Sequence, residues 1–320
     1  MLNIGIYGAN GHQIVHLFPG RKNVRLAAAA AFKSESLPVS LRGKNAPRLY
    51  GSLDELLADP EIDLVSLCSP RRADQAGDAI KSLKAGKHVY AEKPCALSEK
   101  DLDRIIETAE KTGFHFHEMA GTTFAQPYLS LRERIKSGVL GTIIQIFVQK
   151  SYPYVDTRPQ DEGVDGGLTL QVGIHALRLV EHTAGVRVRK ITGIETDLGN
   201  PKSGGLKMAS SLVLSLENGG VGSVVLNYLN PHSFGNWGNE HLRVFGTGGF
   251  IESVDGGSKT RLVTGEKDWG QVSLEEPGKE YFDFYAESLS EGKAMPFSVE
   301  EELHPLRVLL EVKQKWLPSS

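Results

Sequence analysis

Short apolar runs alternate with amphipathic stretches over the first third of the chain. Asn3-Ile4-Gly5-Ile6-Tyr7 reads as a strand, Gly8 to Gly11 as a turn, and Gln13 to Phe18 as a short helix. Val24 to Phe32 is a second strand of small apolar residues. Leu64 to Cys68 is continuously apolar, as a strand covered on both faces must be. His88 to Ala91 and Phe114 to Met119 supply two more strands. Between them, Ser52 starts a helix with Glu55 three residues on, the pattern of a capping box. Asp74 to Ala85 is helical and stops at Gly86, and a helix capped by Ser98 runs to about Lys111 and stops at Gly113. Strands and helices alternating through short links predict a parallel sheet with right-handed crossovers. Ligands of such sheets lie at the carboxyl ends of the strands, where the strand order reverses.

The pattern changes near Ala120. Pro127 to Ser137 reads as a helix, Thr142 to Lys150 as a strand, and Leu168 to Thr183 as one helix with a glycine-rich entrance. Strand patterns then follow in series: Val188 to Thr196, Leu206 to Glu217, Val221 to Leu229, His241 to Phe245, Phe250 to Val254 and Arg261 to Thr264. Asn218-Gly219-Gly220 marks a hairpin. A helix from about Ser298 to Trp316 closes the chain, and Pro305 is expected to shorten or kink it. The expected fold is α/β: an N-terminal Rossmann domain with a doubly wound parallel sheet over residues 1–120, then an α+β C-terminal domain with a large, mainly antiparallel open sheet over residues 121–320. The second domain is read as the substrate-binding and oligomerisation domain, and the last helix as a candidate to pack back on the first.

Composition narrows the function. The chain has 320 residues, enough for two domains, with 40% hydrophobic and 23% charged residues. A formal net charge of -3 gives no ground for nucleic-acid or anionic-lipid binding. No apolar run is long enough to span a bilayer, and Met1 leads straight into a strand pattern, so a cytoplasmic location is expected. Cys68 and Cys95 alone build neither a disulfide framework nor a metal cluster. His115, His117 and Glu118 could suggest a metal, but strand alternation places His115 and His117 on one face with no further obvious ligands, and no metal site is expected.

Gly8-Ala9-Asn10-Gly11-His12-Gln13 follows a strand and opens a helix, the context in which backbone N–H groups receive a pyrophosphate. Asn10 and Gln13 stand where the second and third glycines of a full fingerprint belong, and a plain strand–helix turn is the alternative reading. The second strand ends without an acid. Lys33 and Ser34 follow it and suit a 2′-phosphate, so NAD(P) is the expected cofactor with NADP preferred; a solvated loop lysine is the other reading. The most specific signal is Glu92-Lys93-Pro94 at the end of a strand. An ammonium there can donate to a substrate hydroxyl and carry charge that develops in hydride transfer, with Glu92 holding it or binding the nicotinamide side, and Pro94 fixing the turn.

The glycine turn, Glu92-Lys93-Pro94 and Gly166-Gly167 with Gly173-Ile174-His175 together resemble the Gfo/Idh/MocA oxidoreductases over nearly the whole chain, in motif order. The resemblance implies NAD(P)-dependent oxidation or reduction of sugars, inositols or related polyols, with Lys93 catalytic and Ser69-Pro70 beside the cofactor. A non-catalytic, ligand-sensing member of the same fold is the alternative. His175 matches the family's histidine, an imidazole suited to take a hydroxyl proton. Gln171 stands four residues earlier in place of an aspartate, and Asp74 replaces a usual histidine after the third core strand. Gln171, Tyr152, Tyr154 and Arg158 are the expected substrate contacts, with Asp156 on the same loop. Gly8, Ala9, Asn10, Gly11, His12, Gln13, Lys33, Ser34, Ser69, Pro70, Asp74, Glu92 and Lys93 are the expected cofactor contacts. A small polyhydroxylated substrate is the expected partner. Valines such as Val213 and Val225 on the outer face of the large sheet imply a homodimer or homotetramer.

Overall fold

The computed structural model describes residues 1–274 and 278–316. Its contacts divide the chain into two compact units: Met1–Met119 with Gly163–Gly166 and Tyr281–Leu303, and Ala120–Glu162 with Gly167–Glu280 and the chain from His304.

In the first unit, β1 (Leu2–Tyr7), β2 (Val24–Ala30), β3 (Arg48–Tyr50), β4 (Leu64–Leu67), β5 (His88–Ala91) and β6 (Phe116–Glu118) form one sheet in the order β3-β2-β1-β4-β5-β6. Every pairing is parallel. Strand order reverses between β1 and β4, which opens the ligand crevice of a doubly wound sheet at their carboxyl ends. Helices α1 (Leu53–Leu57), α2 (Arg72–Lys84) and α3 (Glu99–Thr112) connect the strands. Their starts follow the polar signals: Ser52 Oγ accepts from Glu55 N at 3.2 Å and Ser98 Oγ from Asp101 N at 3.1 Å. Gly113 closes α3 at φ +73, where a side chain would be strained. Gly5 lets α1 press on β1, since a Cβ there would stand 2.8 Å from Leu56 Cδ2. The helix expected over Gln13 to Phe18 is a single 3₁₀ turn, Ile14–Leu17.

The chain returns to this unit late. The helix Tyr281–Glu291 buries Tyr281, Phe282 and Tyr285, and the Tyr285 hydroxyl donates to the His115 carbonyl at 2.9 Å. Glu302 is fully buried; His117 Nδ1 lies 2.7 Å from it and the Glu118 N–H donates to it at 2.6 Å. His117 is thus spent on a carboxylate. Among the described residues no group of three or more His, Cys, Asp or Glu is placed to hold a metal ion.

In the second unit, eight strands run β7 (Ile143–Ser151), β8 (Val188–Thr196), β9 (Ala209–Leu216), β10 (Val221–Asn227), β11 (His241–Gly246), β12 (Gly249–Val254), β13 (Lys259–Thr264) and β14 (Asp268–Gly270). Their order in the sheet is β14-β13-β12-β11-β7-β10-β9-β8. All pairings are antiparallel except β7 with β10. One face buries Ile146, Val148, Leu212, Leu214, Val224, Leu226, Val244 and Ile251. The other leaves Val213 57%, Ile144 51% and Val221 48% exposed, a half-covered sheet with alternating sides. Helix α4 (Tyr128–Lys136) and the segment Gly167–Thr183 belong to this unit. That segment is not the single helix expected from Leu168 to Thr183. It runs as Gly167–Gln171, Gly173–Arg178 and a π turn, Leu179–Thr183. Gly173 sits where a Cβ would stand 3.1 Å from Leu226 Cδ1, so the segment packs closely on the sheet. The last helix, Val299–Trp316, is not shortened by Pro305. No helix among the described residues is long and apolar enough to cross a membrane.

Candidate active site

In the first unit, the expected site residues gather at the carboxyl ends of β1, β4 and β5. Gly8 turns at φ +71, and a Cβ there would run into the Cys68 carbonyl oxygen. Asn10, at the expected second-glycine position, ties two turns together: its N–H donates to Cys68 O at 3.2 Å and its side-chain amide donates to Pro70 O at 3.2 Å and Val164 O at 2.6 Å. Gly11, at φ +122, passes so close to Glu92 that a Cβ would lie 2.7 Å from Cγ. The His12 N–H donates to Glu92 Oε2 at 2.8 Å, and its ring Nδ1 lies 3.2 Å from Oε1. Ala9, Gly11 and His12 are exposed.

Gln13 departs from its expected role. It is buried, its amide donates to Gly8 O at 3.1 Å and Ser66 O at 3.3 Å, and its Oε1 accepts from Ile14 N at 3.0 Å and Ser66 Oγ at 2.7 Å. Its side chain locks the turn to β4 from within the sheet. Ser69 is likewise buried, its hydroxyl donating to Asp78 Oδ2 at 2.7 Å. Asp74 stands exposed in the first turn of α2, and Lys33 and Ser34 are exposed beyond β2. Between β2 and Lys33, Ala31 adopts φ +49, an uncommon conformation for a residue with a Cβ.

Glu92 and Lys93 follow β5, with the Lys93–Pro94 bond cis. Gln75, inside α2, donates to the carbonyls of Glu92 and Pro94, and the Cys95 N–H donates to Glu118 Oε1 at 2.7 Å, so the turn is held at both ends. Lys93 is 4% exposed, and its Nζ lies 3.7 Å from Glu92 Oε1. Burial pushes the Glu92 carboxyl up, but the His12 hydrogen bond and the charges of Lys93, His12 and Arg72 outweigh it and hold the pKa at about 2 against an ordinary 4.5. A carboxyl depressed in the fold stabilises it above the unfolded pKa and loses that contribution as pH falls through the folded one. The window is therefore pH 4.5 down to about 2, and the loss is on the order of 3 kcal/mol. Urea melts across this window should show wild type losing stability more steeply than Glu92→Gln; parallel curves would contradict this account. Cys68 is a buried thiol whose ionisation is pushed up, first by burial and then by Glu92.

The second unit carries its own group of expected site residues. His175 sits in the short helix Gly173–Arg178, with Nδ1 3.1 Å from Thr122 Oγ1. Gln171, one helical turn earlier, accepts from the Tyr228 hydroxyl at 3.0 Å. The Arg158 guanidinium stacks on the Tyr228 ring, 3.6 Å from its centroid. Tyr152 lies between Lys150, whose Nζ is 5.0 Å from the ring, and Trp237, with ring centroids 5.8 Å apart. The Tyr154 hydroxyl is buried without a hydrogen-bond partner among the described residues. Gln171, Arg158 and Tyr228 thus form one connected group, and Tyr228 and Thr122 are members that the sequence does not announce. A cavity of about 590 Å³ lined by Phe18, Val24, Leu26, Lys44 and Arg48 lies at the amino end of β2, away from these strand ends.

A reversing parallel sheet, a glycine turn that admits no side chain and a buried carboxylate–ammonium pair at the strand ends define a dinucleotide-binding protein. Comparison with known proteins agrees. An oxidoreductase family with an NAD-binding Rossmann fold, Gfo/Idh/MocA, matches residues 2–118, and the Gfo/Idh/MocA C-terminal domain matches residues 128–252. The chain belongs to the Gfo/Idh/MocA oxidoreductases. It is 31% identical to an uncharacterized oxidoreductase of Rhizobium meliloti over 159 residues, 48% of this chain and 47% of that one, so the match spans about half of that relative's length. It is 27% identical to a myo-inositol 2-dehydrogenase of Thermotoga maritima over 251 residues, 76% of this chain and 72% of that one. A solved Thermotoga maritima structure shares the fold at TM-score 0.89 and 21% identity, over 98% of this chain and 97% of that one.

Proposed function

We propose that this chain is an NAD(P)-dependent dehydrogenase or reductase acting on a CH–OH group of a sugar, inositol or related polyol. The observation that carries the reading is Lys93: an ammonium only 4% exposed, beside a carboxylate, at the end of a strand flanking the reversal crevice. The fit to a dinucleotide rests on the turn at Gly8, where the sheet excludes a side chain and leaves Ala9 and Gly11 open to solvent. Bound there, the nicotinamide supplies or accepts the hydride. Lys93 donates a hydrogen bond to the reacting oxygen and stabilises negative charge on it. The His175 imidazole takes the hydroxyl proton in the oxidative direction, its ring positioned by Thr122. Gln171 and Tyr228 offer neutral hydrogen-bonding groups suited to further hydroxyls. The inositol-dehydrogenase relative supports the polyol class. Exposed Lys33 and Ser34, with no acid at the end of β2, favour NADP.

The test is a panel of sugars and polyols with both cofactors, followed at the absorbance of reduced nicotinamide. Cofactor binding with no turnover of any substrate would favour the second reading, a ligand sensor, which the neutral Gln171 in place of a carboxylate supports. We also propose that copies pair through the outer face bearing Val213 and Val221. Light scattering is expected to report a dimer or tetramer at micromolar concentration, and a monomer would refute it.

A further inference from the structure

Among the described residues, Arg158 carries a charge with no carboxylate partner. The residue is 8% exposed. Its contacts through the side chain are one hydrogen bond to the Pro153 carbonyl at 3.2 Å and the stack on Tyr228, while Nε is buried with no hydrogen-bond partner among the described residues. Guanidinium does not shed its proton in proteins, so the charge persists. A carbonyl dipole and an aromatic face offset part of the desolvation but leave a donor unfilled. Two poorly exposed lysines of this unit, by contrast, have carboxylate partners. Lys150 meets Glu240, and Lys313 meets Glu162 at 2.9 Å and Glu195 at 2.8 Å. The position of Arg158 is equally telling, because the tyrosine whose ring it covers donates through its hydroxyl to Gln171, one helical turn from His175.

We infer that the substrate is an anionic polyol whose oxyanion seats on Arg158. This rests on the polyol-dehydrogenase reading above and narrows it to sugar acids or sugar phosphates. The unfilled Nε donor and a neighbouring terminal nitrogen form the edge that grips two oxygens of a carboxylate or phosphate. Tyr228 then has two functions: its face carries the guanidinium and its hydroxyl holds Gln171 toward the substrate hydroxyls.

The experiment compares three compounds of matched stereochemistry: a hexuronate, a hexose 6-phosphate and the neutral hexose. Turnover is measured with NAD and NADP, and binding to the cofactor-free protein by calorimetry. One of the two anions should exceed the neutral sugar in kcat/KM and in affinity by about ten-fold or more, as a charge-assisted contact provides. The winning anion identifies the group as carboxylate or phosphate. In Arg158→Met the anion-to-neutral ratio should fall by about ten-fold, mainly through KM, and Arg158→Lys should retain part of it. If Arg158→Met fails to fold, wild type still decides: rising salt should raise KM for the anion and not for the neutral sugar. A neutral hexose used as well as both anions, or a preference that survives Arg158→Met, overturns the inference. Arg158-dependent binding of an anion without turnover of any polyol would sustain this inference and sink the dehydrogenase reading.

Discussion

Lys93→Met is expected to lower kcat by about a hundred- to ten-thousand-fold while nicotinamide dinucleotide affinity changes only a few-fold. Methionine nearly preserves the volume of the side chain, and Lys93 is 4% exposed, so the chief loss is the ammonium. The turn should survive. Its geometry is held by Gln75 on the carbonyls of Glu92 and Pro94, by Glu118 on Cys95 N, and by His12 N–H on Glu92 Oε2 at 2.8 Å, none of which involves Nζ. On the proposed mechanism, what disappears is the donor to the reacting oxygen and the positive charge that stabilises it. Glu92 also loses a compensating charge, so some thermal stability goes with it. Steady-state kinetics beside fluorescence titration of reduced cofactor separates these effects. A variant that turns over at the wild-type rate would remove Lys93 from the chemistry, whereas one that no longer binds cofactor would mark it as a binding residue instead.

How far the sequence reached depended on whether a feature is local. The longer strands and helices of the parallel half were legible because each carries its own periodicity and caps: Ser52, Ser98 and Gly113 act as read. β3 and β14, three residues each, are too short to show a period, and the helix Tyr281–Glu291 opens on Tyr-Phe-Asp-Phe-Tyr, an alternation that resembles a strand. Lys93 and His175 stand out in the sequence through the motifs around them. Tyr228 and Thr122 do not, because their partners lie 57 and 53 residues away and only the folded chain brings them into contact. The inward side chain of Gln13 is illegible for a related reason. A polar residue in a glycine turn suggests a ligand, yet its amide is consumed by the backbone of its own turn and by Ser66, 53 residues on. Asn10 shows the same economy in reverse: a missing glycine becomes the side chain that bridges two turns.

His175→Asn is expected to reduce kcat by about a hundred- to a thousand-fold in the oxidative direction and to abolish the acidic limb of its pH profile. A base must be neutral to accept the hydroxyl proton, so wild-type rate should rise as the imidazole deprotonates, and asparagine cannot titrate. The contact from Thr122 Oγ1 to Nδ1 at 3.1 Å fixes one side of the ring, so on the proposed mechanism the proton is taken at Nε2. Gln171 sharpens the expectation, because a neutral amide one turn away cannot substitute as base. A profile unchanged in shape would assign the proton to another group and make His175 a structural residue. The double variant Lys93→Met with His175→Asn carries the argument further. If the two side chains act on one oxygen atom, each single loss already removes most of what the pair achieves together, and the double variant should lose far less than the product of the two single effects. Full multiplicativity would mean that ammonium and imidazole serve separate steps, and that the oxygen on which Lys93 acts is not the one that gives its proton to His175.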